Sequence, residues 1–331
     1  MGKETLTLAA NKKDKFAVFF LNNKTVFIMI GLIIVAQLIT NGLFITEQNL
    51  SSVSRQIAVS TVLAIGFTTV LASGGIDLSV GHMLSLLGVI YATLTLQMPM
   101  IGAIAITILF ALMFGFINGS LSERFKMAPF IVTLATGQIF KGAAYLLTNG
   151  QAVAGFGNDV KFLGQGLIGG VFPIAFLFVI VLAIVISVLM TRTKYGRYVI
   201  AAGGNAQAAS VSGVPVALVR IITYIIVACC AAIGAIVLTG RVGVALPNAG
   251  DGMEMDAIAA VIIGGTPLLG GKAKVLGTVF GCIIIGIISN CLNLMGINPF
   301  WQWVVKGLII LLAMFIDSRT EVFFNKRRVR I

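Results

Sequence analysis

Histidine is almost missing from this chain: His82 is the only one among 331 residues, so no paired-histidine zinc motif such as HExxH can be built. Cysteine is scarce too. Cys229, Cys230, Cys282 and Cys291 all sit within apolar runs and form no CxxC pair, which leaves them as small apolar fillers rather than a disulfide or metal framework. Charge is the third shortage. Only 10% of residues are charged against 58% hydrophobic, with a mean hydropathy of +1.05, whereas a soluble domain carries about a quarter charged residues. The chain therefore reads as an all-α integral membrane protein. Its 38 glycines suit helices that approach closely in lipid, where small residues replace hydrophobic drive as the packing device.

Catalytic signatures are absent as well. A phosphate-cradling GxxxxGK[ST] loop does not occur. Its nearest approach, Gly270-Gly271-Lys272, has Ala273 where the magnesium-binding hydroxyl belongs and Thr266 where the first glycine belongs. Any ATP hydrolysis must then come from another subunit, with ATP and Mg bound there and no cofactor or metal in this chain. Gly164-x-Gly166-x-x-Gly169 matches a dinucleotide fingerprint literally, but no strand pattern precedes it and no acid follows at the required distance. A membrane-embedded enzyme would need a nucleophile and base, or a metal cluster, within the spans, and none offers itself. The chain is read as a non-enzyme.

What is present is a series of long apolar runs. Thr25 to Thr46 gives 22 uncharged residues, enough to cross about 30 Å of hydrocarbon; no A-x-A-like cleavage site is seen, so this segment is expected to stay. Gln56 to Ile76 is a second run. Leu78 to Ser122 holds 45 residues without Asp, Glu, Lys or Arg, about right for two spans broken near Gln97-Met98-Pro99. Met127 to Leu147 and Val171 to Met190 follow, separated by a Gly/Asn-rich loop. After a polar island at Thr191 to Val214 come Ala217 to Gly240, a loop from Arg241 to Asp256 carrying Asp251, Glu254 and Asp256, a short run Ala257 to Gly271, then Val275 to Leu294 and Phe300 to Ile316. The expectation is about ten spans.

The net charge of +12 is better read as topology than as nucleic-acid binding, because Lys and Arg concentrate on the cytoplasmic side of membrane proteins. With the N-terminus inside, eighteen basic residues fall in inner segments and only Arg55, Lys161 and Arg241 outside, with Lys141 and Lys306 within spans. An N-in, C-in arrangement follows. The segment 1–24, the loop 191–214 and the basic tail 318–331 would face the cytoplasm. Gly74-Gly75-x-x-Leu78-x-x-Gly81 recurs as Gly264-Gly265-x-x-Leu268-x-x-Gly271, which suggests a parallel internal repeat relating spans 1–4 to spans 7–10.

Several polar residues stand out against this background. Asp77, at the start of a span, either caps its helix by accepting free N–H groups or lines a pathway or gate, and Asp256 has the same two readings. Lys141 and Lys306 are costly within a bilayer. Snorkelling toward the outer surface and contact with a solute are the alternatives. Asn118, Gln138, Asn290, Asn293 and Gln302 can hydrogen-bond a polyhydroxylated solute or tie helices together. Trp301 and Trp303 fit an interfacial belt.

The polar island is the most informative segment. Gly203-Gly204-Asn205 supplies a start and cap for a short helix, Ala206 to Ser212 favours helix with Ala208 and Ala209 at its centre, and Gly213 with Pro215 stops it. Packed helices are usually joined by about 2 to 8 residues, so a 24-residue connection points to a surface that fits another protein.

Taken together, ASGGIDLSVG at Ala72 to Gly81, the island itself, EMDAIAAVIIGGTPLLGGK at Glu254 to Lys272 and NLMGINPFWQWVVKGLIILLA at Asn293 to Ala313 resemble the ribose transport permease family of bacterial ABC importers, in order along nearly the whole chain. The resemblance implies one permease domain over residues 1–331 in the bacterial inner membrane and a homodimer or a pairing with a close paralogue. It also implies separate ATPase subunits and a periplasmic or lipid-anchored sugar-binding protein. Residues around Gly203 to Gly213 would be the coupling helix. Gly74, Gly75, Gly81, Gly264 and Gly265 would be gate or cap positions. His82, Pro267 and Ala273 depart from the usual Ser, Ser and Gly and leave the sugar open. Permeases for nucleosides, autoinducers or branched-chain amino acids share the architecture, and an ion-coupled secondary transporter is the more distant alternative.

Overall fold

The computed structural model describes residues 24–298, 300–308, 311–312 and 315. Residues 1–23 of the expected N-terminal segment, the basic tail 318–331 and the end of the last expected span lie outside the described residues. The chain runs through α1 (Lys24–Ile39), α2 (Glu47–Ala72), α3 (Val80–Thr95), α4 (Met100–Glu123), α5 (Pro129–Thr148), α6 (Asn158–Gln165), β1 (Leu167–Ile168), β2 (Phe172–Pro173), α7 (Ile174–Arg192), α8 (Lys194–Gly204), α9 (Ala206–Val211), α10 (Val216–Val242), α11 (Met253–Ile263) and α12 (Val275–Leu294); residues 300–308 are again helical. Six of these, α2, α4, α5, α7, α10 and α12, are long and apolar enough to cross a membrane, and α1 and α3 are shorter apolar helices.

Burial sorts the long helices into two groups. The most apolar windows of α2 and α10 are 83% and 72% buried, whereas those of α4, α5 and α7 are 28–33% buried. A central pair is thus sheathed by helices whose outer faces, with Leu109, Phe116, Ile139 and Ile184, are apolar and exposed. Glycine makes the close approaches possible. A Cβ added at Gly66 of α2 would lie 2.7 Å from the Cys230 Cβ on α10, and one at Gly115 of α4 would lie 2.6 Å from the Tyr224 carbonyl oxygen. Backbone contact in lipid replaces the side-chain core of a soluble bundle. All four cysteines are free, Cys230 and Cys282 fully buried, as expected of apolar fillers.

The 45-residue run splits where expected, with α3 ending at Thr95 and α4 starting at Met100 after Pro99. Two departures have local causes. The first helix stops at Ile39 rather than running to Thr46, because Asn41 (φ 51°) and Gly42 (φ 88°) turn left-handed. The Gly/Asn-rich loop is not all loop: it folds into α6 and the β1–β2 hairpin, Leu167 opposite Pro173. There the GxGxxG string has a packing explanation. Gly164 touches the Arg241 and Gly240 backbone of α10, and Gly169 (φ 61°) and Gly170 (φ 77°) make the hairpin turn.

The eighth expected span is short, as the sequence has it, and falls below the length of a crossing. Its helix, α11, has 11 residues, about 16 Å at 1.5 Å per residue, roughly half of what crossing requires. Gly250, three residues before it, packs on the Gly81 carbonyl oxygen and donates its N–H to Ser85 Oγ at 2.8 Å. The chain leaving α10 therefore dips back along α3 and starts α11 inside the bundle. Asp251 is exposed in the turn before α11, and Glu254 and Asp256 lie in the first turn of that helix, so the expected loop ends at Gly252 rather than at Asp256. Acidic groups there face the positive end of the helix dipole.

Candidate functional site

At one end of the bundle, α8 and α9 are built as the island sequence requires. Thr193 Oγ1 accepts from Gly196 N at 3.1 Å and starts α8. Asn205 Oδ1 accepts from Ala208 N at 2.9 Å and starts α9, and Gly213 (φ 83°) ends it. Tyr195 pins α8 to α10 by donating to the Val219 carbonyl at 3.3 Å, and burial pushes its phenol up. Ala209 is buried, while Asn205, Ala208, Ser212 and Gly213 are exposed; Ser212 Oγ donates to the Ala208 carbonyl. Val211 is 88% exposed at the tip. Gln207 and Ser210 line an open groove of about 890 Å³ shared with Glu123, Arg124 and Lys126.

The adjacent glycines Gly203 and Gly204 differ completely. An added Cβ at Gly203 would strike the Ala72 carbonyl oxygen and lie 2.6 Å from Gly271 N, whereas one at Gly204 meets nothing within 4 Å. Gly203 thus seats α8 on the junction of the two GGxxLxxG strings, where Gly271 N donates to the Ala72 carbonyl at 3.0 Å. Beside it, Arg220 of α10 donates from Nε to the Ser73 carbonyl (3.0 Å), from Nη2 to the Ala202 carbonyl (3.5 Å), and from Nη1 to Glu123 Oε1 (3.3 Å). One guanidinium therefore joins the ends of α2, α4 and α8. Sequence reasoning counted Arg220 only as a positive charge; no local pattern marks its partners.

The turn between α2 and α3 holds Asp77, which is fully buried. Its Oδ1 accepts from Ser79 N (2.9 Å) and Ser79 Oγ (2.6 Å), and Asn118 Nδ2 donates to Ser79 Oγ at 2.8 Å. Asp77 thus accepts within the turn instead of capping α3, whose N-cap is Ser79 without a side-chain cap bond, and its second carboxylate oxygen and Asn118 Oδ1 are unpartnered. Gly74 (φ 79°) and Gly265 (φ 88°) make the turns after α2 and α11; Gly75 lies against Tyr224, Gly81 against Glu254 and Gly264 against Gly277.

Three further ion pairs involve Asp251 and Asp256. Lys141 Nζ lies 2.8 Å from Asp251 Oδ2, and His82 Nε2 3.4 Å from Asp251 Oδ1. Lys306 Nζ lies 2.8 Å from Asp256 Oδ2, beside a cavity of about 40 Å³ lined by Gln56, Ser60 and Ser289. Lys141 and Lys306 each reach a carboxylate. One reading changes: Asp256 lies within α11 and answers Lys306 instead of capping the helix, whose N-cap is Gly252. Of the amides, Asn290 exchanges two hydrogen bonds with Asn49 (2.9 and 3.0 Å), and Asn293 accepts from Gln302 at 2.7 Å, so both tie elements together. Gln138 is exposed on α5. Trp301 and Trp303 are 59% and 71% exposed. Among the described residues no group of His, Cys, Asp or Glu could hold a metal ion.

Residues 49–314 match the family model described as the permease component of branched-chain amino acid transport systems. The ribose import permease protein of Bacillus subtilis is 37% identical over 296 residues, 88% of this chain and 92% of that protein. Its Escherichia coli K12 counterpart is 35% identical over 284 residues, covering 84% and 88%. The D-allose transport system permease protein of E. coli K12 is 35% identical over 313 residues, covering 93% and 95%. No solved structure matches.

Proposed function

The chain belongs to this permease family, and we propose that it is the membrane-spanning subunit of an ATP-binding cassette importer that carries a monosaccharide, ribose or a close relative, across the bacterial inner membrane. The observation that carries this reading is the extent of the similarity: relatives named for ribose and allose transport match over 84–93% of the chain. The α8–α9 end adds a physical argument, since it presents exposed small residues outward while Gly203 and Arg220 bind it to the ends of α2 and α4.

In this reading α9 is the coupling helix, with Gly204, Asn205, Ala208, Ser212 and Gly213 facing a separate ATPase subunit that binds ATP and Mg, and Ala209 and Gly203 holding the helix to the bundle. A sugar-binding protein delivers solute at the opposite end, and a second copy of the chain or a paralogue completes the pore. About ten membrane segments, N-in and C-in, fit the distribution of Lys and Arg, with α11 as a half-span and the two GGxxLxxG strings as traces of a parallel repeat. The route would be lined from among Asn118, Gln138, Asn290, Asn293, Gln302 and Lys306, with Asp77, Asp256 and glycines 74, 75, 81, 264 and 265 as gate and turn positions. ATP-driven approach of the partner subunits shifts the α8–α9 end, and the pore exchanges one packing for another of similar free energy.

Reconstitution in liposomes with the ATPase and binding protein tests the reading. Uptake of labelled ribose or a related sugar that requires ATP is expected. Uptake driven by an ion gradient without the ATPase, or of an amino acid but no sugar, would overturn it. A cysteine at Asn205 should resist a periplasm-confined thiol reagent in intact cells; labelling would reverse the orientation.

A further inference from the structure

Lys141 stands twelve residues into the twenty-residue α5, about 18 Å from its start and 10 Å from its end at 1.5 Å per residue. His82 is on the first turn of α3, with thirteen residues of that helix still to run. Asp251 is brought to the same depth by the inward dip before α11. Three ionisable side chains from three elements thus meet part-way along α5, a helix long and apolar enough to cross a membrane.

They are not sealed in the core. The side chains of Lys141 and Asp251 are 33% and 39% exposed and that of His82 14%, with Gln138 exposed less than one turn away on α5. Ionisable groups at this depth do not face hydrocarbon; they face a protein interior or a water-filled cavity. The apolar residues of the same helix, Leu134, Ile139 and Leu146, are 48%, 64% and 81% exposed. The polar patch is therefore a local interruption of a lipid-facing or partner-facing helix.

The chemistry left over in the patch is specific. Asp251 spends one contact of each carboxylate oxygen, on Lys141 and on His82, and retains lone pairs. Lys141 donates to a single acceptor and has two further N–H groups. His82 Nδ1 is buried without a partner and turned toward Gly137, and Glu254 Oε2, beside Gly81, is also unpartnered. Acceptors and donors a few ångströms apart are complementary to vicinal hydroxyls, each of which is both donor and acceptor.

The patch is also connected through the chain to the seat of α8. Ser73 and Gly74 are held by Arg220 and stand beside Gly203, Ser79 is held by Asp77 and Asn118, and His82 follows three residues later. Only the nine residues from Gly74 to His82 separate the seat of α8 from the patch.

We propose that Lys141, Asp251, His82 and Gln138 form a contact site for a polyhydroxylated solute part-way along the translocation pathway. This rests on the importer reading above and adds to it the residues that touch the solute. Asp251 accepts hydroxyl protons, Lys141 donates to hydroxyl oxygens, and the 3.4 Å His82–Asp251 contact is the one a hydroxyl displaces.

The test uses the reconstituted complex with its ATPase and binding protein. Asp251→Asn is expected to assemble and to keep ATP hydrolysis stimulated by loaded binding protein, while sugar uptake per ATP falls at least tenfold; Asp251→Glu recovers part of it. Gln138→Leu, which removes no ion pair, is expected to lower uptake and shift the preference among sugars differing in hydroxyl configuration. It gives the answer if Asp251→Asn does not assemble. The exchanged pair Lys141→Asp with Asp251→Lys is expected to stay defective. Full uptake in the exchanged pair would mean that the ion pair only holds the dip in place, and unchanged uptake and preference in Gln138→Leu would also overturn the proposal. A wild-type complex that moves no sugar would instead sink the importer reading itself.

Discussion

Replacing Gly203 by alanine is expected to loosen the junction between α8 and the bundle, whereas the same change at Gly204 is expected to leave the fold intact. The new Cβ at 203 collides with the Ala72 carbonyl oxygen and lies 2.6 Å from Gly271 N. Both are backbone atoms and cannot swing aside like a side-chain tip. Overpacking of this kind costs about 1–3 kcal/mol, and separating Ala72 from Gly271 N stretches their 3.0 Å hydrogen bond, about another 1 kcal/mol. The gain in helix propensity offsets about 1 kcal/mol of this, leaving a net loss of about 1–3 kcal/mol. At Gly204 the Cβ enters open space and only the gain of up to about 1 kcal/mol remains. Thermal unfolding of the purified permease in detergent should show Gly203→Ala melting several degrees below wild type and Gly204→Ala at or above it. Gly204→Arg should also melt normally yet fail to bind the ATPase. Equal melting of the two alanine variants would refute the close seat of α8 on the end of α2, and normal ATPase binding by Gly204→Arg would refute the assignment of that face.

Arg220→Ala leaves Glu123, 12% exposed, without its partner and should cost about 3 kcal/mol; combining it with Glu123→Ala should cost less than the two singles together, and a double-mutant cycle showing simple additivity would deny the contact. Asn290→Ala breaks both bonds to Asn49 and should cost about 1–2 kcal/mol; persisting uptake by the folded protein would leave Asn290 as a tie between helices, and lost uptake at normal stability would select it as a residue of the route. Gly115→Val should prevent α4 from closing on Tyr224 of α10, lowering the melting point with a penalty of about 1–3 kcal/mol; an unchanged melting curve would contradict the backbone contact.

Much of the fold was legible because lipid imposes a coarse rule, that uncharged runs of about twenty residues become helices. The break at Pro99, the cap at Asn205 and the stop at Gly213 are local chemistry, and each is found where the sequence puts it. Glu254 and Asp256 fall in a helix instead of the expected loop, because a polar stretch between two apolar runs looks the same whether it stays outside or folds inward. Only the contact of Gly250 with Gly81 and Ser85 separates the two.

By itself, then, the amino-acid order determined that this protein lives in a bilayer and roughly where its helices begin and end, since hydropathy, capping and glycine conformations act over a few neighbouring residues. The tertiary structure alone decided that Gly203 packs and Gly204 does not, that Arg220 joins three helix ends, and that Lys141 and Asp251, 110 positions apart in the chain, share one site. Those pairings depend on which helix faces lie together, and no rule of spacing along the chain encodes that.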